Sequence, residues 1–290
     1  MKRIIKWFFV LGGGLLGLAV LGLAIVYLYM GYRFGVVHDV ALSTPAIPAD
    51  ARRVAEGERL ARIRGCMGGC HGRETEGSVF FEVPDGSRII APDLGRIAAE
   101  YTADELEQAI RQGVRPDGTS VVGIMPSTMF QHLSDDDLAA IIAFLQSRTP
   151  GDEALPEPRF GPLLRAMMVF YSWKYDWTAL AAEAIDAAAP RLDPAADGPP
   201  LAHGRYLAMT VCTECHGDDL RGTPDGSTPS LAISAAYSRE DFGRLMTTGI
   251  PVGGRELDLM KRVAVSRFAH LAEPEIDDLH AYLVTLAASN

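Results

Sequence analysis

The sequence predicts a predominantly helical protein built of two similar units in tandem behind one N-terminal membrane-spanning helix. A long run without a charged residue, Trp7 to Met30, stands near the start of the chain. Beyond it, chemically matched residues recur at an almost constant offset. Within each repeat the apolar positions keep helical spacing, with acids in the first turns and glycines at the ends. A length of 290 residues exceeds what one hydrophobic core usually organises. With 48% hydrophobic and 22% charged residues, the composition excludes a mostly disordered or collagenous chain.

The first element follows from length and flanks. As a helix, Trp7 to Met30 rises about 36 Å, against a bilayer hydrocarbon core of ~30 Å. Lys2, Arg3 and Lys6 precede it and Tyr27, Tyr29 and Tyr32 gather at its far end, so the positive-inside bias and the aromatic belt put the N-terminus in the cytoplasm. A cleaved signal peptide would carry an apolar region of about 7–15 residues and a small-x-small site soon after it. Neither pattern is present, so the expectation is a retained single-pass anchor over residues 1–33, with everything after Arg33 outside. Gly13 and Gly17 form a small-xxx-small pair that suits packing of another membrane helix. The net charge is −10, and residues 1–33 hold four cations and no acid, which leaves −14 on the remainder. That balance argues against nucleic acid as a partner.

Residues 34–50 read as a linker, and a first unit is expected over 51–150. Its Tyr101, Gly113 and Gly118 recur as Tyr237, Gly249 and Gly254, a shift of 136 without a gap. Phe130, His132, Leu133, Leu138, Ala143 and Leu145 recur as Phe268, His270, Leu271, Ile276, Ala281 and Leu283 at a shift of 138. Leu106, Ala109 and Ile110, and then Phe242, Leu245 and Met246, predict an amphipathic helix ended by glycine in each unit. Ser134 before three aspartates predicts a capped helix through Leu145, and Glu275 to Leu286 repeats it without the serine. Strand signals are few. The intervening 151–200 contains Pro- and Gly-bearing coil around an apolar, aromatic stretch from Leu163 to Trp177, interrupted by Arg165 and Lys174. That stretch is too short to span a bilayer. It reads either as a linker helix buried between the two units or as a surface facing the membrane or a partner subunit. The second unit follows over 201–290.

All four cysteines fall at matching places near the start of the units: Cys66-Met67-Gly68-Gly69-Cys70-His71 and Cys212-Thr213-Glu214-Cys215-His216. The second cluster is the c-type haem attachment pattern, in which two thiols bond the haem vinyl groups and the next histidine ligates iron. A redox dithiol does not require that histidine, and a four-coordinate zinc needs more Cys or His than each unit supplies nearby. The first cluster carries one residue more. A glycine inserted at 68 or 69 accounts for this, because glycine loops out with little steric conflict. Two thioether links, a single link through Cys70, and loss of the haem are the alternatives, in that order of preference.

A second axial ligand is expected from Met125, seven residues after Gly118, and Met260, six after Gly254. Methionine more commonly fills core gaps. Met129 is the rival in the first unit, although Met125-Pro126 has the form of a sharp turn. His132 and His270 also recur and offer bis-histidine ligation. His38, His203 and His280 have no partner at the matching position and read as surface or core residues. The carbonyls of Pro92 and Pro229 suit acceptance of the histidine Nδ1–H.

At these residues the chain resembles class I cytochrome c domains, through Cys-x-x-Cys-His, a Pro-x-Leu segment, a Met, and a final helix with Ala-Phe-Leu or Ala-Tyr-Leu. As a tandem behind an anchor it is similar to membrane-bound dihaem cytochromes and to the cytochrome subunits of bacterial alcohol and sugar dehydrogenases. The resemblance implies an all-α fold of two haem domains, two covalently bound haem c groups, and electron transfer on the periplasmic side of a bacterial inner membrane. It assigns Cys66, Cys70, Cys212 and Cys215 to attachment, and His71, Met125, His216 and Met260 to iron. It implies redox partners such as a dehydrogenase, a quinol-oxidising complex or a terminal oxidase, with no substrate chemistry on this chain. Several such subunits have three haem domains where this chain has two. The competing enzymatic reading is a dihaem peroxidase, which needs an open axial site that the matched methionines argue against. A third class is a haem-based sensor or an organising subunit of a respiratory complex.

Overall fold

The structure, a computed structural model, describes residues 2–41, 46–47, 50–152, 154–171, 180–186, 189–194 and 200–288. Helix α1 (Lys2–Phe34) is continuous over 33 residues. Most of its apolar side chains lie open to the surroundings, Met30 near its end being buried, and its length and composition suffice to cross a membrane.

The first unit begins with α2 (Ala51–Ile63), capped by the Asp50 side chain accepting from the Arg53 N–H. An antiparallel hairpin follows, β1 (Ser78–Glu82) with β2 (Arg88–Ala91), pairing Ser78 with Ala91 and Glu82 with Arg88. Next come α3 (Leu94–Glu100) and α4 (Ala103–Glu107), the latter with a reciprocal Thr102–Glu105 capping box. A wide π turn over Gln108–Gln112 ends at Gly113, whose φ of 64° is the left-handed stop that glycine permits. A short α5 (Ser127–Phe130) leads to α6 (Asp135–Gln146), capped by Ser134 as its sequence predicts. Helices α7 (Pro162–Tyr171) and α8 (Ala181–Ala184) occupy the connection.

The second unit comprises α9 (Leu201–Leu207), a π turn over Ala208–Cys212, α10 (Thr213–His216), a 3-10 turn over Leu231–Ala236, α11 (Arg239–Thr248), α12 (Asp258–Ser266) and α13 (Glu273–Ala288). Helix α11 stops at Gly249 with φ 71°, matching Gly113. The fold is therefore mainly helical, and the hairpin is the local departure from an all-α expectation.

Both units are built on one helix crossing. A Cβ on Gly57 of α2 would lie 1.8 Å from the Ala140 carbonyl oxygen of α6, and one on Gly204 of α9 would lie 2.0 Å from that of Asp278 in α13. Only glycine lets the paired helices approach this closely. Ala140 and Asp278 stand at the offset that relates the apolar residues of the repeat. Around each crossing those residues are buried: Phe130, Leu133, Leu138 and Leu145, and then Phe268, Leu271, Ile276 and Leu283. The two sets join in one continuous core.

The connection differs from the linker-helix expectation. Leu164 and Met168 of α7 are buried with Met30 of α1 and with Val83, Ile89 and Val122 of the first unit, not between the two units. Arg165 donates to the Tyr27 carbonyl at 2.8 Å and its guanidinium lies 4.0 Å from the Tyr27 ring centroid. Arg33 at the end of α1 pairs with Glu183 of α8. Cation–π and ion-pair contacts thus tie the connection to the C-terminal end of α1. Leu163 and Phe170 remain exposed on its other side. Trp173, Lys174 and Trp177 of the expected apolar stretch lie outside the described residues.

Candidate functional site

Helix α2 stops at Ile63, and Gly65 (φ 77°) and Gly68 (φ 69°) turn the chain through the first cysteine cluster. The Gly68 N–H donates to the Gly72 carbonyl at 2.8 Å, closing the loop over the extra residue. Met67 is fully buried in the core, whereas Gly68 and Gly69 are exposed, so the surplus loops outward. This brings Cys66, Cys70 and His71 into the lining of one cavity, which Met125 also lines. The cavity contains about 1160 Å³ of empty space, part of it open solvent. Ile89, Ile97, Leu106 and Phe130 contribute apolar wall. Met125 reaches it from the turn that starts at Val122, whose carbonyl accepts the Met125 N–H at 3.0 Å, and Pro126 then opens α5. Met129, the rival, is instead buried in the core.

The histidines are oriented identically. His71 Nδ1–H donates to the Pro92 carbonyl at 2.8 Å, and His216 Nδ1–H donates to that of Pro229 at 2.8 Å. This fixes the tautomer and leaves Nε2 as the basic nitrogen, as a metal-ligating histidine requires. Burial lowers the pKa of both, which favours the neutral imidazole. Burial also pushes the Cys66 thiol up to about 11, Cys212 to about 12 and Cys215 to about 11, and raises Cys70. All four are neutral thiols at neutral pH.

The loop after each histidine is repeated in conformation, a signal that sequence reading missed. Gly72, Thr75 and Gly77 have positive φ, and Gly217, Leu220 and Gly222 repeat them at the spacing that separates His71 from His216. Thr75 (φ 76°) and Leu220 (φ 60°) are buried non-glycine residues in a left-handed conformation that costs of order 1–3 kcal/mol. Their carbonyls accept from the Leu94 and Leu231 N–H groups at 2.9 Å, which ties each loop to the Pro-x-Leu segment carrying the histidine's acceptor.

Among the described residues, His132 and His270 do not line the first cavity. His132 Nδ1–H donates to the Pro190 carbonyl at 3.0 Å, and His270 is exposed. His203 bonds Asp278 at 2.8 Å and His280 approaches the Ser234 carbonyl at 3.2 Å, in keeping with local satisfaction. Met260 lies on α12, partly buried against the shared core.

The three arginines that line the first cavity, Arg64, Arg115 and Arg267, were missed as well. Arg64 is 2% exposed and donates to Asp137 (3.0 Å) and Tyr206 (3.1 Å), yet its Nε and Nη1 are buried without a partner among the described residues. Arg115 is held by the Ser120 carbonyl, and burial lowers its pKa. An apolar cavity lined by a histidine whose Nδ1–H is already donated, by a thioether, two thiols and cations fits a covalently held haem with its carboxylates.

The cytochrome c family model matches residues 54–149 and again 201–287. The chain is 31% identical over 206 residues to the cytochrome c subunit of a quinone-dependent alcohol dehydrogenase from Gluconobacter oxydans, covering 64% of this chain and 38% of that protein. It is 28% identical over 279 residues to the gluconate 2-dehydrogenase cytochrome c subunit of Pantoea cypripedii, covering 82% of this chain and 60% of that one. Against a dihaem c-type cytochrome of Cereibacter sphaeroides it is 23% identical over 246 residues, covering 72% and 79%. The chain belongs to the cytochrome c family.

Proposed function

We propose that this member of the cytochrome c family is a membrane-anchored dihaem electron-transfer subunit, working beside a dehydrogenase with both haem domains on the periplasmic side. The observation that carries the reading is the paired geometry: two Cys-His clusters, each with its histidine Nδ1–H donated to a proline carbonyl at 2.8 Å. Bound haem iron would supply a one-electron couple without bond making or breaking. His71 and His216 would hold it through Nε2, and Met125 and Met260 would supply thioether sulfur, which favours the reduced iron. Cys70, Cys212 and Cys215 would fix the macrocycle covalently, with Cys66 as the fourth link across its longer spacing.

Relatives named as dehydrogenase cytochrome subunits support a dehydrogenase as donor. Anchoring rests on α1 and on its contacts with α7, whose exposed Leu163 and Phe170 suit the membrane interface. A pyridine haemochrome assay with protein quantitation tests the haem count, and two per chain is expected. Mass spectrometry of haem peptides separates double from single attachment at Cys66 and Cys70. Membrane fractionation with protease protection tests the topology. One haem per chain, or haem domains protected on the cytoplasmic side, overturns the reading.

A further inference from the structure

The two cysteine clusters meet at an ion pair. Arg267, the residue after α12, donates from Nη1 to Glu214 at 3.0 Å, and Glu214 stands between Cys212 and Cys215 of the second cluster. The same guanidinium covers the first cluster: a Cβ on Gly65 would lie 2.3 Å from its Cζ, and one on Gly69 would lie 3.3 Å from its Nη2. Arg267 and Glu214 both line the cavity that holds Cys66, Cys70 and His71. Their side chains are only 13% and 27% exposed, so the charges are weakly screened by solvent. Neither has a charged counterpart in the repeat, where Met129 and Gly69 occupy the matching positions. The pair belongs to the junction and not to the shared domain plan.

We propose that Arg267 is a positioning residue that clamps the second haem site, through Glu214, against the glycine turn of the first, so that electrons pass directly between cysteine-bearing haem edges across this ion pair. The step is a one-electron exchange in which one ferrous iron is oxidised and the other, ferric, is reduced, with no proton or bond transferred. The proposal rests on the two-haem reading above. Because oxidised iron carries one more positive charge, the Arg267 cation raises both midpoint potentials and the Glu214 anion lowers them. In the parent the two effects largely cancel.

The test uses the full chain in detergent as parent, Arg267→Gln, Arg267→Lys, Glu214→Gln and the Arg267→Gln/Glu214→Gln double variant. Haem content, redox titration, electron paramagnetic resonance of the ferric state and the rate of inter-haem equilibration after pulsed reduction are measured on each. Arg267→Gln is expected to lower the potentials and Glu214→Gln to raise them, with the double variant returning close to the parent. Arg267→Gln is also expected to slow equilibration and weaken the spin coupling between the irons, with both recovered in Arg267→Lys. Glu214 lies at the rim, so its variant reports even where Arg267→Gln fails to assemble. A two-haem parent whose variants keep its potentials and rate overturns the clamp alone. A one-haem parent overturns the two-haem reading and the clamp with it.

Discussion

The first unit takes 21 residues to pass from His71 to its acceptor Pro92, and the second takes 13 from His216 to Pro229, yet both end in the same 2.8 Å hydrogen bond. The surplus in the first unit is the β1–β2 hairpin, whose Phe80, Ile89 and Ile90 wall its cavity. A second difference lies upstream. The path from Gly57 to His71 is longer by two than the path from Gly204 to His216, although both glycines mark the same helix crossing. One of the two extra residues lies within the cysteine cluster. The other lies between the crossing and Cys66, where α2 ends at a glycine turn while α9 continues through a π turn to Cys212. The two fixed points are the helix crossing and the histidine hydrogen bond. Chain between them is free to lengthen, because a glycine turn or a hairpin absorbs the added residues at the surface.

The sharpest way to break this equivalence is to remove the histidines one at a time. His71→Ala and His216→Ala are each expected to halve the haem bound per chain in the haemochrome assay. An unchanged count in His71→Ala would mean that the longer first cluster carries no haem. Next in size is the crossing itself. Gly57→Ala and Gly204→Ala each drive a methyl into a carbonyl and should cost about 1–3 kcal/mol or more, as overpacking does. Denaturation of both variants should give comparable losses, and a cost confined to one would show that the units do not share the crossing as their keystone.

Methionine substitution sharpens the comparison at the iron. Met125→Ala and Met260→Ala should each remove part of the near-infrared sulfur-to-iron band and lower one midpoint potential, since loss of thioether weakens the hold on ferrous iron. If Met260→Ala keeps the parent spectrum, the second unit uses another ligand and the symmetry of the two irons fails. The smallest expected effect separates the units by charge. Arg115 lines the first cavity, and the matching position in the second unit is Pro251. Arg115→Gln should lower only the first potential in a redox titration, because a cation lining the cavity would disfavour the oxidised form of a haem held there. A shift of both potentials, or of neither, would show that this arginine does not act on one haem alone.

What the sequence by itself determined is local and repeated. The helix cap at Ser134, glycine stops at Gly113 and Gly249, the apolar α1 and the two cysteine clusters each depend on neighbours within a few residues, so their signals survive in the linear chain. The proline acceptors of the histidines were legible because the repeat placed Pro92 and Pro229 at matching points. Tertiary structure alone decided the rest. The apolar periodicity of α7 could state that one face is buried but not against what, and its partner proved to be the distant end of α1, through the Tyr27–Arg165 contact. Arg64 carries no mark in the linear chain of the enclosure that folding gives it with Asp137 and Tyr206. Arg267 meets Gly65 only because two units pack in one register. Such contacts are selected by shape and burial across long loops, and spacing along the chain carries no record of them.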